Sequence, residues 1–407
     1  MNILLINHYA GSPKYGMEYR PYYLAKEWSD LGHNVRIIAS SESHLHQLKP
    51  SVSNRYTLEK IDNIEYLWIK TPAYNGNGLG RIINMLSFSK KLFSERKAIL
   101  NRFSPDIVIA SSPHPFIFRG AHKIAKKANA KLIFEVRDIW PLSLIEILGL
   151  SKIHPLIALM QYEESNAYKK TDMVASLLPK AMDHMSRHGL SHDKFMYIPN
   201  GIIVKDWNSS IPLPPDHIEE VKQFKLQFNF LIGYAGTHGK PNALSFLIQA
   251  AELITTESIG IVLIGSGPEK PELISLANKL KLNNVLFLNA LNKTRVPAFL
   301  TQMDALYIGW EQQSLYRFGI SANKLFEYMI SGKPIIHSVT AGNDPVLESG
   351  CGISCLPENV SSIAQALIQL NNLPHEELED LGKKGKKYVI QNHDYALLAK
   401  KYLSNFN

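Results

Sequence analysis

The sequence predicts an α/β protein of two domains, each a doubly wound parallel sheet. Three observations carry that expectation. Short, continuous apolar runs recur along the chain, each followed by a helix-length segment, as in strands buried on both faces. The alternation pauses once, at Tyr197-Ile198-Pro199-Asn200-Gly201 and the polar, proline-bearing stretch 208–216, and then restarts. The length, 407 residues, exceeds the about 250–300 at which a single core stops growing.

In the first half, strands are expected at 3–6, 35–39, 64–69, 107–110, 132–136 and 173–175. A helix is expected over 19–31, ended by Gly32-His33-Asn34. In the second half, strands are expected at 230–234, 261–264, 285–288, 305–308 and 334–336, with helices between them. The helical stretches 376–392 and 395–406 have no strand after them and read as covering helices. The expected division is 1–200, 201–385, and a C-terminal helical segment 386–407 that returns to the first domain. Ligands in such sheets bind beyond the carboxyl ends of the strands, so a cleft between the domains is the expected site.

Composition narrows the class. Apolar residues make up 45% and charged residues 20%, which excludes disorder, collagen and a disulfide scaffold. The net charge of +8 is uneven: 26 basic and 17 acidic residues in 1–200 give +9, and 18 and 19 in 201–407 give −1. Nucleic acid, an anionic membrane surface and a phosphorylated substrate are the candidate partners of the basic half. Cys351 and Cys355, with no His cluster nearby, read as buried thiols rather than metal ligands. The N-terminus lacks the features of a signal peptide, and no run of about 18 apolar residues exists, so a cytoplasmic protein is expected.

Several strand-to-helix loops carry chemistry. The first runs Asn7-His8-Tyr9-Ala10-Gly11-Ser12-Pro13-Lys14-Tyr15-Gly16, where glycines leave N–H groups free for an anion; the alternative is an ordinary connection. Arg20, early in the next helix, either supplements an anion site or is solvated. In the second half, Gly236-Thr237-His238-Gly239-Lys240-Pro241 and Gly265-Ser266-Gly267-Pro268 follow adjacent strands and open helices. Two such loops on one sheet suit a diphosphate. In Gly319-Ile320-Ser321-Ala322-Asn323-Lys324-Leu325-Phe326-Glu327, Ser321 and Asn323 are capping types at a helix entry. Lys324 sits in the first turn, where the dipole disfavours a cation unless an anion compensates. Glu327 lies on the same face, either as a sugar-hydroxyl acceptor or as a local partner of Lys324.

His114, held between Pro113 and Pro115 after a strand, is either a titrating or sugar-binding group or a structural one. Arg137 and Asp138 follow another strand end; they either pair with each other or face the substrate, with Asp138 accepting from a hydroxyl. The segment 79–102 holds Arg81, Lys90, Lys91, Arg96, Lys97 and Arg102 against one acid, Glu95, interleaved with apolar residues. It suits a membrane interface, or a crossover helix packed on the sheet.

Together these residues resemble family 4 of the glycosyltransferases, with the GT-B fold. The branch they resemble builds bacterial surface polysaccharides such as O-antigen, capsule and lipopolysaccharide, including transferases of the N-acetylfucosaminyl type. The likeness covers nearly the whole chain, through Met17-Glu18-Tyr19-Arg20, the 110–116 and 134–141 segments, Ile198-Pro199-Asn200-Gly201, both glycine loops and 323–329. It implies retaining transfer from a nucleotide sugar, usually a UDP-sugar, without a metal or other cofactor. Carried over residue by residue, it implies donor contacts at Gly11, Gly16, Gly236, Thr237, His238, Gly265, Ser266, Gly267, Gly319, Ile320, Ser321, Asn323, Lys324, Leu325 and Glu327. Glu327 matches the second carboxylate of the family's Glu-x7-Glu motif, and Gly319 stands where the first would be, so backbone groups of 319–321 are expected to replace it. Many members carry a His five residues after the Asp matching Asp106; here that position is Ser111, and His114 is the nearby candidate. His114, Asp138, Lys324 and Glu327 are the catalytic candidates, and Arg20, His114 and Arg137 the acceptor-binding ones. The implied acceptor is a lipid-diphosphate-linked saccharide, met at the inner face of the cytoplasmic membrane by the basic N-terminal domain, with no nucleic-acid partner. The alternatives are a nucleotide-sugar 2-epimerase of the same architecture, and a non-catalytic membrane-surface binding protein.

Overall fold

The computed structural model describes residues 1–76, 78–207 and 211–406, so part of the expected linker, 208–210, lies outside the described residues. The chain divides into a first unit, Met1–Asn200 with the segment from Tyr395 on, and a second unit, Gly201–Asp394. The returning segment therefore starts at Tyr395, not at 386. The His375–Asn392 helix stays with the second unit because two glycines let it press on that core. A Cβ on Gly382 would lie 1.8 Å from the Gly332 oxygen, and one on Gly385 would lie 2.9 Å from the Cys351 Cβ.

The first unit holds eight strands: β1 (Asn2–Ile6), β2 (Asn34–Ser40), β3 (Tyr56–Ile61), β4 (Ile64–Ile69), β5 (Ile107–Ser112), β6 (Lys131–Val136), β7 (Met173–Ser176) and β8 (Phe195–Tyr197). Their order is β3-β4-β2-β1-β5-β6-β7-β8, parallel except for the antiparallel pair of β3 and β4. The second unit holds β9 (Phe230–Ala235), β10 (Ile259–Ile264), β11 (Val285–Leu288), β12 (Ala305–Gly309), β13 (Ile335–Ser338) and β14 (Gly352–Cys355), all parallel in the order β11-β10-β9-β12-β13-β14. Both sheets are doubly wound, as the apolar runs predict. Strands β3, β8 and β14 were not expected. β3 alternates exposed and half-buried residues at an edge, β8 has three residues, and β14 is half-buried. None presents a continuous apolar run.

Strand order reverses at β1 and β5 in one sheet and at β9 and β12 in the other. Those are the points where successive loops leave toward opposite faces and open a crevice at the strand ends. Cys351 and Cys355 are free, and burial pushes both thiols up to about 11. Among the described residues no helix is long and apolar enough to cross a membrane.

Arg20 is neither solvated nor open to a substrate. It is 1% exposed at the start of the Arg20–Asp30 helix. Its Nη2 donates to Glu135 Oε2 at 2.9 Å and to the Ile198 oxygen at 3.0 Å, and its Nη1 donates to the Pro199 oxygen at 2.6 Å. Tyr402 on the Tyr395–Leu403 helix donates to the same Glu135 oxygen at 3.3 Å, and Trp28 Nε1 donates to the Ala399 oxygen at 3.0 Å. One buried ion pair thus joins β6, the first helix, the 198–199 strap and the returning helix. Burial alone would raise the Glu135 carboxyl; the Arg20 guanidinium outweighs it and holds the group below its ordinary value.

Removing one member of such a pair leaves the other charge buried alone, so Arg20→Met should cost roughly 3–5 kcal/mol in urea unfolding. The lowered Glu135 value means that the pair's contribution is complete above the ordinary carboxylate range and fades as pH falls through the native value. The stability gap between wild type and Glu135→Gln should therefore narrow in acid.

Candidate functional site

In the second unit, β9 and β10 end beside each other and run into two glycine loops. The Gly236 N–H donates to the Ile264 oxygen at 3.0 Å, the His238 N–H to the Ser266 oxygen at 2.9 Å, and the Glu269 N–H to the His238 oxygen at 3.0 Å. A Cβ on Gly265 would fall 1.9 Å from the Gly236 oxygen, and one on Gly267 would fall 2.2 Å from the His238 oxygen. Only glycine lets the two backbones touch. The N–H groups of Gly236 and His238 lock the loops together, and the Gly265 N–H reaches toward the Leu288 oxygen, so these three are not open to an anion. The N–H groups of Thr237, Ser266 and Gly267 have no partner among the described residues. The His238 ring is buried between the loops, with both nitrogens unpartnered among the described residues. Burial, with Lys270 and Lys324 nearby, pushes it down to about 4, so it is neutral at pH 7.

The Asn323–Ile330 helix begins without a side-chain cap, and its N-cap residue is Ala322. Neither Ser321 nor Asn323 occupies the N-cap position; the Leu325 N–H donates to the Ala322 oxygen at 3.1 Å, and the N–H groups of Asn323 and Lys324 are left to another acceptor. Lys324 Nζ donates to Tyr234 Oη and to Asn242 Oδ1, both at 2.8 Å. It lies against Gly236, where a Cβ would meet its Cε at 2.7 Å. Tyr234 Oη and Asn242 Nδ2 in turn donate to the Thr237 oxygen, at 2.7 and 3.0 Å. Burial pushes the ammonium down to about 7, with the Glu327 charge opposing. Glu327 does not pair with Lys324; its Oε1 lies 3.3 Å from Lys293 Nζ.

Three further donor-site expectations are corrected. Leu325 is 1% exposed and belongs to the core. The Gly319 N–H donates to the Tyr316 oxygen at 2.9 Å, and the Ile320 N–H donates to Asn343 Oδ1 at 2.7 Å. Both N–H groups are therefore engaged within the unit. Gly319 has φ 111°, a conformation that favours glycine.

In the first unit, the Gly11 and Gly16 N–H groups close their own loop, on the Glu18 oxygen at 2.9 Å and the Ser12 oxygen at 2.8 Å. A Cβ on Gly11 would lie 1.9 Å from the Gly16 oxygen. These glycines shape the loop and offer no anion donor. His114 is fully buried, and its Nε2 lies 2.8 Å from His8 Nδ1. Burial, with Arg81, pushes His114 down to about 3, and burial with His114 lowers His8 well below its ordinary value. The pair is neutral at pH 7, which removes His114 as a titrating acid. Ser111 is bonded between Asn7 Nδ2 at 2.9 Å and Glu135 Oε1 at 2.7 Å. Arg137 pairs with Glu18 at 2.8 Å rather than with Asp138. Asp138 is exposed and makes no hydrogen bond among the described residues. Of the acceptor candidates, Arg20 is structural and Arg137 is committed to Glu18. Among the described residues no three His, Cys, Asp or Glu side chains gather as metal ligands.

Sequence reasoning missed His8, Tyr234, Asn242 and Asn343. Tyr234 and Asn242 lie inside or beside the quoted glycine loop, but their partner Lys324 is 90 and 82 residues away.

Two doubly wound units, one with a backbone cradle and a lysine at an uncapped helix start, define a GT-B glycosyltransferase. The family profile Glycosyltransferase Family 4 matches residues 15–206, and Glycosyl transferases group 1 matches residues 218–388. The chain belongs to the family 4 glycosyltransferases. It is 22% identical over 285 residues to the putative colanic acid biosynthesis glycosyl transferase WcaI of Escherichia coli K12, covering 68% of this chain and 69% of that one. Among solved structures it is similar to WaaG, described as a glycosyltransferase involved in lipopolysaccharide biosynthesis, with TM-score 0.65, 15% identity, and 100% and 99% of the two chains covered. It is also similar to the structure described as trehalose-6-phosphate from E. coli bound with UDP-2-fluoro glucose, with TM-score 0.74, 11% identity, and 100% and 98% covered.

Inorganic pyrophosphate is a probe of the cradle. Its affinity, read by calorimetry, should carry an alkaline limb as Lys324 loses its charge above about 7, and Lys324→Arg should remove that limb. Tyr234→Phe and Asn242→Ala each delete one hydrogen bond to the ammonium and should weaken binding roughly two- to tenfold.

Proposed function

We propose that this transferase moves a sugar, with retention, from a UDP-N-acetylamino sugar to a lipid-diphosphate-linked saccharide in the building of a surface polysaccharide. The acceptor is bound by the first unit, at the inner face of the cytoplasmic membrane. The observation that carries the reading is Lys324, pinned by Tyr234 and Asn242 over the glycine loop at an uncapped helix start. Cleavage of the sugar–phosphate bond leaves growing negative charge on a diphosphate. A fixed ammonium and preorganised N–H groups stabilise that charge without reorganising as it forms. They supply what a metal would otherwise supply, which supports a metal-free reaction. The departing phosphate oxygen takes the proton of the acceptor hydroxyl, so no strong protein base is required. That suits a first unit whose buried histidines are neutral. Glu327, 19% exposed, is the acceptor for ribose hydroxyls, with Lys293 as its resting partner.

The association of WcaI with colanic acid biosynthesis and of WaaG with lipopolysaccharide biosynthesis supports a surface polysaccharide or lipopolysaccharide as the product, and the UDP-2-fluoro glucose bound to a third similar structure supports UDP. An N-acetylfucosaminyl-type sugar, and O-antigen or capsule as the product, are the finer parts of the same reading. The 2-epimerase is not favoured, since it needs additional acid and base carboxylates.

Lys324→Ala and Glu327→Ala should each lower sugar transfer at least about tenfold while the unfolding transition is kept. Normal transfer by both variants would sink the donor-site assignment. A thermal-shift screen of nucleotide sugars should single out a UDP-N-acetylamino sugar, and stabilisation only by GDP- or ADP-sugars would overturn the UDP reading.

A further inference from the structure

The Leu79–Ser94 helix buries only Asn84, Met85, Phe88 and Leu92. It leaves Ile83 58%, Leu86 42% and Phe93 41% exposed. Gly120 lets the Ile117–Ala128 helix cross it closely, for a Cβ there would lie 2.6 Å from the Leu92 Cβ. Beside this crossing, the two helices and the Pro155–Lys170 helix leave an open groove of about 290 Å³. Its apolar lining is Leu86, Phe93, Phe116 and Leu159, and Phe116 also packs with Met85 and Met160 in one buried cluster. Its cations are Lys90, Arg119 and Lys123, and its one carboxylate, Glu163, is already paired with Arg119 at 2.6 Å. Lys123 Nζ stands 4.2 Å from the centroid of the Phe93 ring, so charge and apolar surface meet at one point. Of the four basic residues that the sequence offers to a membrane at 90–97, only Lys90 lines the groove. Lys91 is bonded to the Lys70 oxygen and Arg96 to the Phe93 oxygen.

We infer that this groove holds one anionic phospholipid of the membrane, its phosphate on Lys90 and Lys123 and the first part of an acyl chain along Leu86, Phe93 and Leu159. The inference rests on the membrane location proposed above and makes it specific: a seat for one lipid rather than a diffuse basic face. A soluble anion has no use for the apolar lining. A second copy on a two-fold axis would set the three cations against themselves. An amphiphile with an anionic head satisfies both parts at once.

Flotation with vesicles of phosphatidylcholine and phosphatidylglycerol tests the seat. The double change Lys90→Glu with Lys123→Glu, and separately Leu86→Asp with Phe93→Asp, should each lower vesicle binding about tenfold or more. The same charge change at Lys126 and Lys127, which do not line the groove, should lower it far less. Equal losses from the two charge pairs would mean diffuse attraction, and unchanged flotation of the Asp pair would mean that the apolar lining is unused; either overturns the seat. Short-chain phosphatidylglycerol should bind saturably to wild type and not to the groove variants. Inorganic phosphate binding as tightly would make this an anion site only, and a concentration-dependent dimer abolished by Leu86→Asp would give the face to a second copy. The altered side chains are exposed, and an unchanged unfolding transition and unchanged pyrophosphate affinity verify the fold. None of these readouts needs a sugar. Failure of the wild-type protein to bind short-chain phosphatidylglycerol saturably, with transfer intact, defeats this inference alone, and absence of transfer with lipid binding intact defeats only the proposed reaction.

Discussion

Parallel pairing is the constraint on which the rest of this molecule depends. When neighbouring strands run the same way, their carboxyl ends lie along one edge, and each must be followed by a crossover. Residues distant in sequence, such as Gly236, Gly265 and Ser338, are delivered to that edge because β9, β10, β12 and β13 stop in register there. In the first unit the same rule gathers Asn7, just past the end of β1, with Ser111 of β5 and Glu135 of β6 into one hydrogen-bonded row. The two edges are used differently. In the second unit the glycine loops keep some backbone donors unoccupied. In the first, the loop after β1 folds on itself, and Asn7, Ser111 and Glu135 beneath it are bonded to each other.

That difference follows from how each unit settles its buried charge. The first unit pairs Glu135 with Arg20 and satisfies the remaining guanidinium donors with carbonyls, so this pair has no donor left over for a ligand. The second leaves Lys324 with two neutral partners, a phenol and an amide, and a carboxylate that bonds elsewhere. A cation solvated by neutral dipoles is underpaid in charge, and a low-lying ammonium is the physical signature. In the proposed reaction the diphosphate of the donor is the anion that would complete it, at the helix end whose dipole also favours negative charge.

Most of the fold could be read from the sequence, because buried parallel strands are written as unbroken apolar runs. What could not be read were β3, β8 and β14, whose edge positions or brevity remove that run. The candidate donor loops were readable as glycine pairs on adjacent strands, but not which N–H groups they keep. Gly236 and Gly267 look alike in sequence, and their roles divide only once the loops touch. Arg20 was misread because a charged residue at a helix start is usually solvated, and its partner Glu135 lies 115 residues away. The 79–102 segment was readable as basic and amphipathic. That its cations would turn to different places, with Lys90 joined by Arg119 and Lys123 from another helix, needed the crossing at Gly120.

The returning helix at Tyr395–Leu403 has a consequence for how this protein is made. Trp28, in the Arg20–Asp30 helix, waits for a carbonyl 371 residues further along the chain and for the Tyr402 ring just beyond it. About two hundred residues separate the end of the first unit's main segment from its final helix, which is roughly 10–40 s of translation at 5–20 residues per second. During that interval the nascent first unit has a full sheet but an uncovered flank around Trp28. Its completion is postponed until the second unit has been synthesised, so the two halves of the chain are finished together although one was begun long before the other.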